Sequence, residues 1–125
     1  MIKIGITGSI ASGKTTASQI LSYKRGPLFS ADAVVSRLYK KFILQKLLKR
    51  KFNIKQHNLK KALKEIILQD NKQVKILEKM IHPLVRKEMK KFSINNQKKK
   101  LVFYEIPLLI ESNLMKHFDI IIFIK

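Results

Sequence analysis

Apolar residues fall into two kinds of pattern along this chain. Alternation at 2–7 and apolar runs at 101–104 and 119–124 predict strands, the last two of them buried. Between them, 39–92 carries apolar residues at helical spacing with lysine-rich opposite faces, which predicts amphipathic helices. Strands that alternate with helical stretches are typical of a three-layer α/β domain with a parallel sheet.

Two helices are predicted in the second half of the basic stretch. Their apolar faces consist of Leu59, Leu63, Ile66 and Ile67 in the first helix and of Val74, Leu77, Ile81, Leu84 and Val85 in the second. Asn58 is a candidate cap for the first helix, and Asp70 with Asn71 marks the break between the two. His82 and Pro83 lie inside the second helix, where proline should end or kink it.

Length and composition exclude several classes of protein. The 125 residues fit one domain, and 46% of them are hydrophobic and available for a core. No apolar run approaches the ~20 residues that span a bilayer. The absence of cysteine excludes disulfides and thiolate metal sites. Because a strand pattern begins at the first residues, we expect no signal peptide and a cytoplasmic protein.

The charge balance is strongly positive, at +19 with 27 Lys and Arg against 8 Asp and Glu. One interpretation is a surface for nucleic acid or anionic membrane, and the other is a lysine-biased composition. The lysines are spread over 40–100 without arginine clusters and without the interleaved aromatic residues of a single-strand binder. The distribution favours the second interpretation, so we expect neither a nucleic acid nor a membrane as partner.

The most specific motif is the loop at 8–15, which fits the pattern G-x-x-x-x-G-K-[ST] between a predicted strand and a helix-compatible stretch. Gly8 and Gly13 allow a tight turn that aims backbone N–H groups into one concavity. Lys14 offers a cation to the β- and γ-phosphates, and Thr15 offers a hydroxyl to Mg²⁺. A mere tight turn with a solvated lysine is the alternative, which both flanks disfavour. The loop predicts binding of a nucleoside triphosphate.

Two carboxylates follow predicted strands. Asp32 comes after a brief strand at 28–29, where it would point toward the nucleotide or cap the next helix. Glu105 directly follows the apolar run at 101–104. It is either a carboxylate that helps to hold Mg²⁺ or an exposed strand end. His82 and Arg86 are one helical turn apart and could jointly meet a phosphate, although a structural histidine is the simpler interpretation.

The motifs and their order along the chain resemble those of the dephospho-CoA kinase family, and the resemblance spans essentially the whole chain. The segments that carry the resemblance are 8–16, 30–32, 81–86, 105–111 and 118–122. The P-loop is shared with many kinases. The His-Pro-x-x-Arg run and the x-Pro-Leu-Leu-x-Glu run are far more particular. The resemblance implies a P-loop NTPase fold and transfer of the ATP γ-phosphoryl group to the ribose 3′-hydroxyl of dephospho-CoA, with Mg²⁺.

The resemblance also implies roles for individual residues. The ATP phosphates would be held by Gly8, Ser9, Ile10, Ala11, Ser12, Gly13, Lys14, Thr15 and Thr16. Asp32 would accept the proton of the 3′-hydroxyl, with Lys14 as the second catalytic residue and Thr15 as the Mg²⁺ ligand. Glu105 would contact a ligand of Mg²⁺ without binding the metal itself, or it would act as a positioning group. The substrate side would comprise Asp32, His82, Arg86, Pro107, Leu108 and Glu111.

The implied division of the domain places the nucleotide-binding core at 1–38 and 101–125, with a mostly helical CoA-side region at 39–100. Two departures concern the loops. Family members commonly carry an acidic residue where Ser30 stands, and glycines where Ser9 and Ala11 stand. Because Ser9 and Ala11 are small, we expect the phosphate cradle to persist.

The family pattern continues past Lys125 with an arginine-bearing lid, a further strand, an adenine-contacting loop and a final helix. We therefore expect a C-terminally incomplete fold with little or no turnover by this chain alone. We expect self-association through the open sheet edge, whereas a complete chain would be monomeric. Alternatives are another P-loop nucleoside or nucleotide kinase, a basic nucleic-acid-binding NTPase, and an inactive remnant with a structural role.

Overall fold

Within the described residues, four parallel strands form one sheet in the order β2-β3-β1-β4. A computed structural model describes residues 1–9, 12–55, 58–106 and 116–125, with the backbone alone for Ile67. The strands are β1 (Ile2–Gly8), β2 (Leu28–Ser30), β3 (Leu101–Glu105) and β4 (Ile120–Ile124). The predicted strands and their parallel arrangement are confirmed.

Five helices lie within the described ranges. They are α1 (Lys14–Ser22), α2 (Ala31–Tyr39), α3 (Phe42–Lys51), α4 (Leu59–Gln69) and α5 (Asn71–Asn95). Asn58 caps α4, since its Oδ1 accepts a 3.1 Å hydrogen bond from the N–H of Lys61. Asp70 caps α5 by accepting a 2.9 Å bond from the N–H of Lys72. The predicted break between these two helices is thereby confirmed.

Proline at position 83 is expected to end or kink α5, and the helix runs through Pro83 without ending, so the first of these two effects does not occur. Proline removes one backbone hydrogen bond from a helix interior. Ile81 and Val85 are both buried in the same apolar cluster, one on each side of Pro83. Tertiary burial of this face therefore outweighs the local penalty of the proline.

The helices cover both faces of the sheet, as a three-layer domain requires. On one face, Ile4, Ile6 and Phe103 form a small cluster that packs against Leu21 of α1. The larger cluster on the other face contains Phe29, Val102 and Tyr104 together with the buried residues of helices α2 to α5. No helix of the described residues is long and apolar enough to cross a membrane.

Strand β4 lies at an edge of the sheet, and much of its apolar surface is open. Ile120, Ile121 and Phe123 are 49%, 45% and 50% exposed. The prediction of a strand is confirmed, but the prediction that it is buried is wrong. Among the residues that the structure describes, it pairs with β1 on one side only, so half of its backbone hydrogen-bonding groups face away from the described sheet.

Candidate active site

The carboxyl ends of three neighbouring strands lie at the same level. Ser30 of β2 is paired with Glu105 of β3, which is paired in turn with Ile6 of β1. Gly8 ends β1 two residues beyond Ile6, and Asp32 stands two residues beyond Ser30 in the first turn of α2. The topology therefore brings the glycine-containing loop and both predicted carboxylates to one edge of the sheet.

Glycine is required at Gly8 because of its neighbours. A Cβ atom there would lie 2.6 Å from the carbonyl oxygen of Ile124 and 2.8 Å from Oγ of Ser12. Gly13 has a φ of +81°, the left-handed region that favours glycine, and it directly precedes α1. Gly8 is thus needed because a side chain would not fit, and Gly13 is needed because of its backbone conformation.

The amino end of α1 is arranged to receive an anion. Gly13 provides no side-chain cap, and no acidic residue stands in the first turn of the helix. The first N–H groups of a helix have no partner within it, and its dipole favours negative charge there. Ser12 contributes a buried hydroxyl that has no hydrogen-bond partner among the described residues. These features fit a phosphate group.

A hydrogen bond joins the first turn of α1 to the end of β3. Oγ1 of Thr15 donates to Oε1 of Glu105 at 2.7 Å. The alternative in which Glu105 is an exposed strand end is wrong, because the residue is 3% exposed and β3 has a strand on each side. The pair sits where the P-loop motif places its metal-binding hydroxyl.

Hydroxyl and carboxylate oxygens are hard ligands of the kind that Mg²⁺ prefers. Within the ranges that the structure describes, no three His, Asp or Glu side chains are grouped as a metal site. The remaining ligands of a Mg²⁺ ion beside Thr15 and Glu105 would therefore come from phosphate oxygens and water, as is usual for this metal. The residues present fit Mg²⁺ on these terms.

Ser30, and not Asp32, caps helix α2. The Ser30 hydroxyl accepts a 3.3 Å hydrogen bond from the N–H of Ala33. This overturns the alternative in which Asp32 is the cap. Asp32 is exposed in the first turn, where a carboxylate is favoured by the helix dipole and is not used as the cap. Serine at position 30 thus has a structural function of its own.

Of the residues predicted for the substrate side, Asp32 lies at the loop edge of the sheet, whereas Arg86 lies toward the other end of β1. Arg86 of α5 lines a cavity of about 520 Å³ together with Met1 and Lys3, at the amino end of β1, whereas Gly8 ends that strand. His82 is half-buried one turn earlier on α5. Their role toward substrate stays a prediction. The remaining predicted residues Ile10, Ala11, Pro107, Leu108 and Glu111 lie outside the described residues.

Two hydroxyls near the loop escaped the prediction from sequence. The Thr7 hydroxyl is buried without a hydrogen-bond partner among the described residues. Ser18 is fully buried and donates to the carbonyl oxygen of Thr15 at 3.0 Å. Strand alternation could have indicated Thr7, because it places this residue on the face opposite Ile4 and Ile6. No sequence signal distinguished Ser18 from the other hydroxyls of α1.

A parallel sheet covered by helices on both faces, with a glycine-containing loop between β1 and α1, defines a P-loop NTPase fold. A family model described as dephospho-CoA kinase matches residues 2–125. The chain belongs to the dephospho-CoA kinase family.

Individual relatives agree with this assignment. The chain is 40% identical to the dephospho-CoA kinase of Bartonella henselae and 38% identical to that of Rickettsia typhi, with 98% of the chain covered in both cases. Among solved structures, a Thermus thermophilus protein superimposes with a TM-score of 0.79 at 31% identity over 98% of the chain. Dephospho-CoA kinase from Campylobacter jejuni gives 0.65 at 30% identity over 88%.

The matched relatives are longer than this chain. It spans 65% of the Bartonella henselae protein and 64% of the Rickettsia typhi protein. The same chain spans 64% of the Thermus thermophilus structure and 59% of the Campylobacter jejuni structure. The similarity therefore covers 88–98% of this chain and 59–65% of each of these relatives.

Proposed function

We propose that this protein is an ATP-dependent kinase that phosphorylates the ribose 3′-hydroxyl of dephospho-CoA. The observation that carries the proposal is the 2.7 Å hydrogen bond from Thr15 to Glu105 at the carboxyl edge of the sheet, directly after the P-loop motif. Membership of the dephospho-CoA kinase family supports the choice of acceptor. A cytoplasmic location is part of the same proposal.

The loop would hold the triphosphate chiefly through charge and backbone donors. The first N–H groups of α1 and the Lys14 ammonium would surround the β- and γ-phosphates. The Ser12 hydroxyl, which is buried and unpartnered in the described part of the chain, would gain a phosphate oxygen as its partner. Phosphoryl transfer depends mainly on such positioning and charge stabilisation.

Mg²⁺ would be held beside Thr15 and Glu105. When bound, the metal neutralises charge on the phosphate oxygens. Glu105 has an additional effect that does not depend on the ion: its buried carboxylate fixes the orientation of the Thr15 hydroxyl through a part-buried hydrogen bond. A hydroxyl fixed before the nucleotide arrives loses less conformational freedom on binding.

Asp32 would act as the general base. It is exposed at the same strand edge as the loop, and Ser30 performs the capping that would otherwise occupy it. Its carboxylate would accept the proton of the 3′-hydroxyl as the oxygen attacks the γ-phosphorus and the bond from that phosphorus to the β-phosphate oxygen breaks, which releases ADP. Proton transfer of this kind contributes about 10²- to 10⁴-fold in rate.

Isothermal titration of the chain with Mg²⁺, ATP and acceptor tests the substrate class. We expect dephospho-CoA to bind and a nucleoside monophosphate not to bind. Lys14→Ala should weaken ATP binding by about tenfold or more, because a hydrogen bond to a charged group is worth about 1.5–3 kcal/mol. Lys24→Ala, at an exposed lysine beside Tyr23, is the matched control. Binding of the monophosphate alone would favour another P-loop kinase.

A further inference from the structure

Helix α3 exposes apolar side chains on the side that faces away from the core. Phe42 and Ile43 are 75% and 74% exposed, and Leu47 is 48% exposed. Leu44 and Leu48 on the opposite side are buried in the large cluster. The helix is therefore apolar on two sides, although the described structure covers only one of them.

Cations accompany these apolar side chains. Lys46 and Arg50 are exposed and follow Ile43 at positions i+3 and i+7, so they share its side of the helix. We call Phe42, Ile43, Lys46, Leu47 and Arg50 the outer face of α3.

The sequence around this face contains no carboxylate to balance its charge. Between Asp32 and Glu65, no Asp or Glu occurs. The charged residues of this interval are Arg37, Lys40, Lys41, Lys46, Lys49, Arg50, Lys51, Lys55, Lys60, Lys61 and Lys64. A partner for the outer face must therefore be anionic as well as apolar.

We propose that the outer face of α3 docks on an anionic lipid bilayer. Side chains such as Phe, Ile and Leu, flanked by Lys and Arg, are the combination by which a helix lies in the plane of a membrane interface. Each Lys or Arg near an anionic surface adds to the attraction. The spread of lysines along the sequence favours no membrane partner by itself, but the structure places exposed apolar side chains beside cations on one face of α3.

Other occupants fit the face less well. A second copy of the chain would bring the same cations of α3 against each other, at a net charge of +19 per chain. Single-stranded nucleic acid binds by stacking its bases on aromatic side chains, and the outer face offers one aromatic ring beside two aliphatic side chains. Charge complementarity together with aliphatic exposure selects the anionic bilayer.

A tryptophan reporter tests the contact directly, since the chain contains no tryptophan of its own. Phe42→Trp places the reporter on the outer face, and Ile20→Trp is the matched control at a position that is 65% exposed on α1, across the sheet. Both are titrated with vesicles of phosphatidylcholine alone and of equal parts phosphatidylcholine and phosphatidylglycerol. We expect a blue shift only for Phe42→Trp and only with the anionic vesicles.

Vesicle sedimentation measures the strength of binding. Lys46→Gln/Arg50→Gln should weaken binding to anionic vesicles by about tenfold or more, because each cation contributes about 1 kcal/mol. Lys98→Gln/Lys99→Gln removes the same charge from exposed positions between α5 and β3 and should change the binding much less. Ile43→Ser/Leu47→Ser in the Phe42→Trp background should abolish the blue shift. All substituted positions are exposed or nearly so, and circular dichroism checks that each variant melts as the parent does.

Three results would overturn the proposal: no blue shift of Phe42→Trp with anionic vesicles, an equal shift in the Ile20→Trp control, or displacement from vesicles by saturating dephospho-CoA. The last result would mean that α3 contributes to the substrate site instead. None of these measurements depends on phosphoryl transfer, so they are independent of the proposed kinase activity.

Discussion

The hydroxyl of Thr15 donates a 2.7 Å hydrogen bond to the buried carboxylate of Glu105. The two residues are far apart in sequence, and the sheet brings them together because β3 lies directly beside β1. This bond ties the start of α1 to the end of β3. Because Thr15 belongs to the P-loop motif, the bond also makes Glu105 part of the proposed phosphate and metal site.

Glu105→Gln tests this relationship. The amide can still accept from Thr15 but carries no charge, so Mg²⁺–ATP should bind about 10- to 100-fold more weakly. Binding of ATP without Mg²⁺ should change little, which calorimetric titrations with and without the metal can resolve. Glu88→Gln on α5, whose partner Lys91 lies on the protein surface, is the control. Equal loss of affinity with and without Mg²⁺ would remove Glu105 from the metal site.

Asp32→Asn tests the proposed general base. Its effect on turnover is best measured in a fusion of residues 1–125 to the remaining third of the Bartonella henselae relative. We expect kcat to fall by about 10²- to 10⁴-fold with little change in ATP affinity. Ser30→Ala should lower helix stability by about 1 kcal/mol and leave kcat largely intact, because Ser30 caps α2. An undiminished kcat in Asp32→Asn would exclude this residue as the base.

Gly8→Ala should destabilise both the loop and the β4 edge. The added methyl group would meet the Ile124 carbonyl oxygen at 2.6 Å, so backbone must move at a cost of about 1–3 kcal/mol. In Gly13→Ala the added methyl group meets no other atom, so the cost in stability comes from the left-handed backbone conformation alone and is about 1–2 kcal/mol. Urea unfolding with ATP titration compares the two. If Gly8→Ala retained full ATP affinity and stability, the close approach to Ile124 would be refuted.

The hydroxyls of Ser93 and Tyr104 share a 2.6 Å hydrogen bond between α5 and β3. Tyr104 is 1% exposed, and its ring packs against Phe29, Phe92 and Phe118. Ser93→Ala leaves a buried phenol without this partner and should lower the free energy of unfolding by about 1–3 kcal/mol. Adding Tyr104→Phe should cost less in that background than it does alone. Strictly additive costs would contradict the coupling.

Burial raises the pKa of Tyr104 above its ordinary value of 10.0, and the hydrogen bond with Ser93 partly offsets this. A raised folded-state pKa means that the stability contributed by the neutral phenol is complete below pH 10.0 and is lost as the pH rises through the folded value. Chemical unfolding measured across this alkaline range should show declining stability. The decline should be shallower in Tyr104→Phe, with Tyr39, whose pKa burial also raises, accounting for part of the remainder.

The P-loop could be predicted from sequence because its requirements are local. The loop needs glycines at fixed spacing, a lysine and a hydroxyl, all within one short segment. Gly8 and Gly13 occupy the positions that require glycine. The bond between Thr15 and Glu105 could not be predicted, because it depends on which strand lies beside β1. For that reason, the sequence alone could not decide whether Glu105 is an exposed strand end or a carboxylate of a metal site.

The cap of α2 shows how strand pairing decides between two residues that are equally suitable as helix caps. Ser30 and Asp32 are both favourable capping residues, and the sequence does not choose between them. Strand β2 extends through Ser30 because that residue pairs with Glu105, so the helix begins at Ala31. The cap is then Ser30, which leaves Asp32 exposed.

Burial of β4 could not be predicted from its composition. An apolar run shows which surface a strand can bury, whereas the neighbours on each side decide whether it is covered. Ile120 and Phe123 remain about half exposed in the described part of the chain, whereas Phe29 of β2, at the other edge of the sheet, is buried in the large cluster. Helix α5 illustrates the reverse case, since buried Ile81 and Val85 carry it through a proline that local preference would place at a helix end.

The proposed phosphorylation of the 3′-hydroxyl of dephospho-CoA at this site is tested most directly by the nature of the product. The fusion described above is incubated with ATP, Mg²⁺ and dephospho-CoA, and the product is examined by phosphorus NMR. We predict a new 3′-phosphomonoester on the ribose, formed by the parent and abolished by Lys14→Ala. Phosphorylation of a nucleoside monophosphate, with dephospho-CoA left unchanged, would contradict the account.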